Sequence, residues 1–167
     1  MARALYIHWP YCIAKCPYCD FNSHVRKTAD MAEWKTALLA DMRHEFDGTG
    51  SEERLASIFF GGGTPSLMPP SLVADLLGGA ERLWGFDPAI EITLEANPSS
   101  VEAAKFADLA AVGVNRVSLG VQSLRDEALR FLGRLHGVEE ALTALELAQS
   151  HFQRVSLDLI YARPGQS

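Results

Sequence analysis

The sequence is poor in cysteine and has no long hydrophobic run, and both absences exclude classes of protein. Only three cysteines occur among 167 residues, and an odd number confined to one short stretch does not make a disulfide framework. No run of about 18 apolar residues is present, so no transmembrane helix is expected. The N-terminus also lacks the apolar stretch and cleavage site of a signal peptide. We therefore expect a cytoplasmic protein, and peripheral membrane contact is compatible with this composition.

Basic charge is also scarce, which argues against binding to duplex DNA. The chain has 15 Lys and Arg residues against 21 Asp and Glu residues, a formal net charge of −6, and no basic run. A protein that binds DNA phosphates needs a basic surface. Hydrophobic residues make up 48% of the chain and charged residues 22%, as in an ordinary folded domain. We predict one domain over residues 1–167.

Short β-branched, apolar runs alternate with amphipathic stretches along the whole chain. Strands are predicted at 4–8, 56–60, 90–95, 116–121 and 154–160. Helices are predicted at 30–46, 71–84, from Ser99 to Gly113, at 126–132 and at 138–151. This alternation predicts an α/β fold with a parallel sheet, either doubly wound or part of a (β/α) barrel. Ligands then sit at the carboxyl ends of the strands. The chain stops just after the fifth strand, so a barrel would be incomplete.

The three cysteines lie together in a loop that follows the first predicted strand. Cys12, Cys16 and Cys19 have the spacing C-x3-C-x2-C, and clustered thiolates favour zinc or an iron–sulfur cluster. Structural zinc takes four ligands, so it would need His8 or His24 as well. A cubane cluster held by three cysteines instead leaves one iron open for a small molecule. We favour the iron–sulfur cluster, with zinc as the alternative.

Tyr18 precedes the third cysteine, and with it this loop resembles the radical SAM superfamily. In that family a [4Fe–4S] cluster binds S-adenosylmethionine (SAM) through its open iron. The chain further resembles the oxygen-independent coproporphyrinogen III oxidase-like group. The resemblance covers residues 1–167 and rests on six ordered motifs, at 6–12, 60–66, 95–98, 116–123, 132–136 and 158–161. It implies a partial (β/α) barrel of the radical SAM type, with parallel strands and outer helices, truncated after about five strands.

One position departs from the porphyrinogen oxidases. They carry a further cysteine two residues after the third ligand, where this chain has Phe21, and an N-terminal extension that this chain lacks. Phe21 at this position resembles the HemW branch, whose members are heme chaperones, and the short N-terminus is a second departure from the oxidases. The resemblance implies delivery of heme to a respiratory hemoprotein, with the heme-binding motif beyond Ser167. The alternatives are an enzyme that oxidatively decarboxylates coproporphyrinogen III and, second, a zinc-binding α/β module.

The resemblance also assigns residues that contact the methionine part of SAM. Gly62, Gly63 and Thr64 follow the second strand and would contact the amino group. Without the family, these glycines would indicate a plain turn. Arg134 would pair with the carboxylate, because its fork of donors suits a bidentate acid. The alternative for Arg134 is an ordinary surface arginine.

Five further residues are candidate cofactor contacts. Glu95 and Gln122 end the third and fourth strands and offer hydrogen-bonding groups there. Asp158 lies inside the fifth strand among apolar residues, where an acid is costly unless it faces a polar cavity. By family position Tyr6 and Tyr18 contact the cofactor, with Tyr18 near the adenine.

Overall fold

The computed structural model describes residues 3–26, 28–49 and 53–166. The strands are β1 (Arg3–Trp9), β2 (Tyr11–Cys12), β3 (His24–Val25), β4 (Leu55–Gly62), β5 (Phe86–Ala96), β6 (Arg116–Gln122) and β7 (Arg154–Leu159). The helices are α1 (Met31–Thr49), α2 (Pro70–Trp84), α3 (Ser100–Ala103), α4 (Phe106–Ala111), α5 (Asp126–Phe131) and α6 (Val138–His151), with a 3-10 turn at Pro65–Leu67. In the described ranges, no helix is long and apolar enough to cross a membrane.

Five strands form one parallel sheet in the order β1-β4-β5-β6-β7. Each of these strands is added beside the previous one, so the order never reverses as it does in a doubly wound sheet. A sheet that grows in one direction is wound as a barrel is, and the predicted partial barrel is confirmed. Because the strands are parallel, their carboxyl ends meet at one edge of the sheet. The short strands β2 and β3 pair separately, beside the cysteine loop.

The predicted helices form, with one correction. A single helix was expected between Ser99 and Gly113, but the structure has two, α3 and α4. Lys105 lies between them, and its ammonium group donates to the carbonyl oxygens of Ser66 and Leu67 at 3.3 and 3.4 Å. This long-range anchor holds the turn, and the local helical pattern carries no sign of it. Gly113 does end α4, with a positive φ of 112°, as glycine does at helix ends.

The main sheet has one apolar face and one polar face. In β6, Val117, Leu119 and Val121 are buried, and the residues between them are only partly buried. The buried side chains pack against an outer layer in which α1 contacts α2, α2 contacts α4, and α4 contacts α6. The opposite face carries Arg116, which lies 3.5 Å from Glu91. Period-two alternation therefore directs polar groups to the inner face of the sheet, which is the face opposite the helices.

Candidate functional site

A cavity of about 240 Å³ lies at the carboxyl ends of the strands. Its walls come from the cysteine loop, which is defined here as residues 12–23, from the ends of β4 to β7, and from the segment 133–136 after α5. Sequence-predicted site residues in the lining are Cys12, Cys16, Tyr18, Cys19, Gly62, Gly63, Thr64, Glu95, Gln122, Arg134 and Asp158. The structure thus brings together groups from six separate parts of the chain.

The cysteine loop is held in shape by its own hydrogen bonds. The ammonium group of Lys15 donates to the carbonyl oxygen of Phe21 at 2.9 Å and to the hydroxyl of Ser23 at 2.9 Å. A short turn forms where the N–H of Cys19 donates to the carbonyl oxygen of Cys16 at 3.0 Å. These bonds hold the two ends of the loop together.

An aromatic cluster fixes the base of the cysteine loop. Trp9, Tyr11 and Trp34 meet edge to face, with ring centroids 5.3 to 5.9 Å apart. The indole N–H of Trp34 donates to the Tyr11 hydroxyl at 2.9 Å. Trp9 is almost fully buried, so the cluster ties α1 and the end of β1 to the residue that precedes Cys12. Such pairs add stability beyond their buried area.

The thiols of Cys12, Cys16 and Cys19 are free and half-buried. Within residues 3–26, 28–49 and 53–166, no three His, Cys, Asp or Glu side chains are grouped as ligands of a single metal ion would be. His8 is bonded to the Asn22 carbonyl oxygen at 2.9 Å. The zinc alternative therefore has no support. A cubane cluster presents different irons to its thiolates, so it does not require them to converge on one point.

Two of these thiols receive hydrogen bonds from side chains on other elements. The Thr64 hydroxyl donates to Cys12 Sγ at 3.4 Å. The guanidinium of Arg134 donates from Nη1 to Cys16 Sγ, also at 3.4 Å. Hydrogen bonds of this kind to cysteine sulfurs are a feature of iron–sulfur sites. The residues around these two thiols therefore fit an iron–sulfur cluster.

The glycine segment packs tightly against the end of β1. A Cβ on Gly63 would lie 2.7 Å from the carbonyl oxygen of Tyr11, and one on Gly62 would lie 2.9 Å from that of Trp9. The N–H groups of Gly62, Gly63 and Thr64 all donate inside the protein. The glycines are thus required by the close packing of the strands. Because its N–H groups are already bonded, the backbone of this segment can offer hydrogen-bond acceptors to a ligand but no donors.

Arg134 is anchored inside the site and is not an ordinary surface arginine. Its Nη2 donates to Asn97 Oδ1 at 2.6 Å and to the carbonyl oxygen of Gly120 at 2.7 Å. Its Nη1 also donates to the Tyr18 hydroxyl at 3.4 Å. The Nε–H is buried and has no hydrogen-bond partner among the described residues. A buried donor without a partner is costly.

Glu95 lies at the cavity and accepts the Gly62 N–H at 3.3 Å. Burial raises the pKa of its carboxyl above the ordinary value, and the negative charge of Asp158 adds to that shift. Gln122, at the end of β6, has a left-handed backbone with φ of 68°, which is uncommon for a residue with a side chain. Its carbonyl oxygen accepts the N–H of Ile160, so this bend joins β6 to the end of β7.

Asp158 lies at the polar cavity that an acid in this position was expected to face, but its apolar neighbours are less buried than expected. Its neighbours Leu157 and Leu159 were taken to surround it with apolar groups, but they are 40% and 52% exposed. Asp158 itself is exposed, lines the cavity and accepts the Ser118 hydroxyl at 3.5 Å. The carboxylate therefore reaches polar surroundings at little desolvation cost, because β7 is not covered on both faces.

The two predicted tyrosines lie in different places. Tyr18 borders the cavity, and burial raises the pKa of its hydroxyl to about 12 although Arg134 opposes the shift. Tyr6 is 57% exposed, and its hydroxyl contacts His8 Nδ1 at 3.1 Å. Tyr6 is missing from the described lining of the cavity, so its predicted cofactor contact gains no support from this arrangement.

Sequence reasoning missed three residues at the site. Asn97 and His136 fell within motifs of the resemblance and Glu102 fell within a predicted helix, but none of them was given a role at the site. All three line the cavity, and Glu102 and His136 are 2% and 5% exposed. An available signal was the position of Asn97 directly after β5, where parallel α/β proteins place functional groups.

Comparison with known proteins gives concordant matches. The model of the Radical SAM superfamily matches residues 6–167. Heme chaperone HemW of Haemophilus influenzae and that of Escherichia coli are 44% and 43% identical to the chain. A mitochondrial radical S-adenosyl methionine domain-containing protein 1 of Bos taurus is 43% identical.

These matches cover 98% of the chain but only 44%, 44% and 37% of the relatives. The chain therefore spans less than half the length of the curated relatives it matches. Among solved structures, the coproporphyrinogen III oxidase HemN of Escherichia coli, a radical SAM enzyme, matches with a TM-score of 0.84 and 28% identity. That match covers 95% of this chain and 37% of the enzyme.

Proposed function

Because the chain belongs to the radical SAM superfamily, we propose that Cys12, Cys16 and Cys19 hold a [4Fe–4S] cluster whose open iron binds SAM. The observation that carries this proposal is that the chain's only three cysteines line one cavity at the carboxyl ends of the strands. When bound, the reduced cluster supplies an electron to the sulfonium group of SAM. The cubane would be held by cysteine sulfurs, and Thr64 and Arg134 donate hydrogen bonds to two of them.

The residues around the cavity offer complementary groups to the methionine part of SAM. Arg134 has an unpartnered, buried Nε–H that suits a carboxylate. The backbone N–H groups of Gly62–Thr64 are already bonded within the protein, so the backbone of this segment presents only acceptors. An ammonium group needs acceptors. Glu95 and Asp158 add carboxylates on the same side. We assign Gln122 and Tyr18 to the remaining parts of SAM, with Tyr18 beside the adenine.

The experiment for the cluster is metal and sulfide analysis of the anaerobically purified protein and its Cys16→Ser variant. The wild type should contain iron and acid-labile sulfide, and the variant should lose both while keeping its circular dichroism spectrum. Asp20→Ser is the control, because it places a serine at an exposed position of the same loop and removes no thiol. Wild-type protein without sulfide, or a Cys16→Ser variant with full sulfide, would overturn the assignment.

For the whole protein we propose a HemW-like heme chaperone that delivers heme to a respiratory hemoprotein. Support comes from Phe21, which occupies the position of the oxidases' additional cysteine, and from relatives at 43–44% identity that are named heme chaperones. We place this activity in the cytoplasm, where peripheral contact with a membrane would bring the protein to its acceptor. The test is titration of the full-length protein with heme under anaerobic conditions. We expect saturable binding and a shifted Soret band.

A second candidate function is oxidative decarboxylation of coproporphyrinogen III. The observation that favours it is the structural match to a coproporphyrinogen III oxidase with a TM-score of 0.84. Incubation of the reduced, cluster-loaded protein with SAM and coproporphyrinogen III under anaerobic conditions separates the two functions. The chaperone proposal expects no protoporphyrinogen IX, and its formation would establish the enzyme instead.

A further inference from the structure

A chain of hydrogen bonds joins two of the cysteine sulfurs through Asn97. From Cys16 Sγ it runs to Arg134 Nη1 at 3.4 Å, and from Arg134 Nη2 to Asn97 Oδ1 at 2.6 Å. It continues from Asn97 Nδ2 to Thr64 Oγ1 at 3.3 Å and ends with the Thr64 hydroxyl on Cys12 Sγ at 3.4 Å. The amide of Asn97 is the central link, although it touches neither sulfur.

A buried carboxylate fixes the orientation of that amide. Glu102 is only 2% exposed, and it accepts the backbone N–H of Asn97 at 2.8 Å and the side-chain Nδ2 at 3.3 Å. Ser99 and Ser66 donate to the same carboxylate. A carboxylate can only accept, so the NH₂ end of the amide must face Glu102. The Oδ1 end then faces Arg134, which can only donate.

The fixed amide determines which hydrogen bonds the sulfurs of Cys12 and Cys16 accept. Because Asn97 Nδ2 occupies an acceptor position of the Thr64 oxygen, the hydroxyl proton of Thr64 is directed to Cys12. On the other side, Asn97 Oδ1 and the Gly120 carbonyl oxygen hold one nitrogen of the Arg134 guanidinium, which leaves Nη1 facing Cys16. Loss of the amide would release the hydroxyl rotor and loosen the guanidinium together.

We propose that Asn97 is a positioning residue that sets the hydrogen-bond donors on Cys12 and Cys16 and thereby the reduction potential of the cluster. This inference rests on the proposed function, because it requires the cluster. Hydrogen bonds to cluster sulfurs help to set the potential, because a donor stabilises the reduced state, which carries more negative charge. Asn97 therefore keeps the potential higher than the thiolates alone would give.

The test is a potentiometric titration of the cluster in the Asn97→Leu variant, monitored by electron paramagnetic resonance and performed without SAM. The leucine side chain has the same branched arrangement of heavy atoms but neither donates nor accepts a hydrogen bond. We expect a midpoint potential shifted to more negative values at unchanged iron and sulfide content. Omission of SAM keeps the proposed contact between Arg134 and the SAM carboxylate out of the measurement.

Asn115→Leu is the matched control. Asn115 also uses both ends of its amide, accepting the Ile92 N–H and donating to the Ile90 carbonyl oxygen, both at 2.8 Å. It precedes β6 at the amino end of the strand, and it is not part of the described cavity lining. Its variant should lower the melting temperature and leave the midpoint potential unchanged. A general loss of packing would therefore be distinguishable from a loss of the donors.

A second variant keeps the inference testable if Asn97→Leu fails to fold. Thr64→Val removes only the hydroxyl that donates to Cys12 and keeps the shape of the side chain. It should shift the potential in the same direction by part of the Asn97→Leu shift. Wild-type potentials in every variant that carries a cluster would overturn the inference. Wild-type protein without iron and sulfide would instead contradict the proposed function, so the two failures are distinguishable.

Discussion

His136 lies beside Arg134 and is buried, although it belongs to the segment that lines the cavity. Its Nε2 contacts the Val121 carbonyl oxygen at 3.1 Å. Burial lowers the pKa of the imidazole below its ordinary value; the nearby positive charge of Arg134 lowers it further, and the Val121 carbonyl and Glu140 act in the opposite direction. The folded chain therefore holds a neutral imidazole at a pH where the unfolded chain takes up a proton.

This difference predicts that the free energy of unfolding decreases as the pH falls below about 6.5, the ordinary pKa of histidine. The His136 contribution is complete above that pH and is lost as the pH falls toward the lowered pKa. For one proton the slope is at most about 1.4 kcal/mol per pH unit. Urea denaturation of the cluster-free chain between about pH 8 and about pH 5 measures this slope.

His136→Gln should flatten this part of the pH profile. His44→Gln is the control, because His44 is exposed on α1 and its imidazole has solvent around it in both states. If the free energy of unfolding of the His136→Gln variant depends on pH as steeply as that of the wild type, the assignment to His136 is contradicted.

Two adjacent glycines in α2 show how one element positions another. A Cβ on Gly79 would lie 2.4 Å from Leu39 Cδ2 on α1, whereas one on Gly78 would meet only the guanidinium end of Arg82 at 3.3 Å. Gly79 thus permits the close approach of α1 to α2. This contact matters to the site because α1 carries Trp34, which anchors the base of the cysteine loop.

Gly79→Ala and Gly78→Ala are therefore expected to have opposite effects. In a helix interior, alanine is favoured over glycine by about 0.5–1 kcal/mol, so Gly78→Ala should raise the melting temperature. Gly79→Ala gains the same amount but overpacks the contact with Leu39, which costs about 1–3 kcal/mol, so it should be net destabilising. Thermal denaturation of both variants checks this, and a stabilising Gly79→Ala would show that Leu39 moves aside freely.

Across the whole molecule, order is expected to be highest in the central sheet and lowest in the cysteine loop. Phe60, Leu94 and Leu119 on β4, β5 and β6 are fully buried. Residues 13–22 are all half-buried or exposed, and a backbone hydrogen bond from Cys19 to Cys16 forms a short turn among them. Regions with few buried contacts open at a lower free energy than the core.

Hydrogen exchange should therefore divide the cluster-free chain into two classes. Amides of the central strands should exchange at least roughly 100-fold more slowly than those of residues 13–22. Loading of the cluster should slow exchange in the loop and leave the central strands almost unchanged. Exchange measured by mass spectrometry tests this, and a loop that is already as protected as the strands would contradict it.

The amino-acid sequence by itself determined the elements and the proposed metal ligands. Alternating periodicity is a local property, and it predicted the five strands of the main sheet and most helix bounds. The C-x3-C-x2-C spacing is equally local, because it places three thiols within eight residues. The family resemblance added the strand-end residues, and all of them except Tyr6 line the cavity.

The tertiary structure alone decided the partners of those residues. Arg134 and Cys16 are 118 residues apart in the chain, and Asn97 and Thr64 are 33 residues apart. No periodicity encodes such pairs, because they arise only when parallel strands bring their ends to one edge of a sheet. The break between α3 and α4 has the same origin, since Lys105 is held by carbonyl oxygens on a distant turn. The links between the sulfurs thus depend on how the sheet is wound and on the buried carboxylate of Glu102.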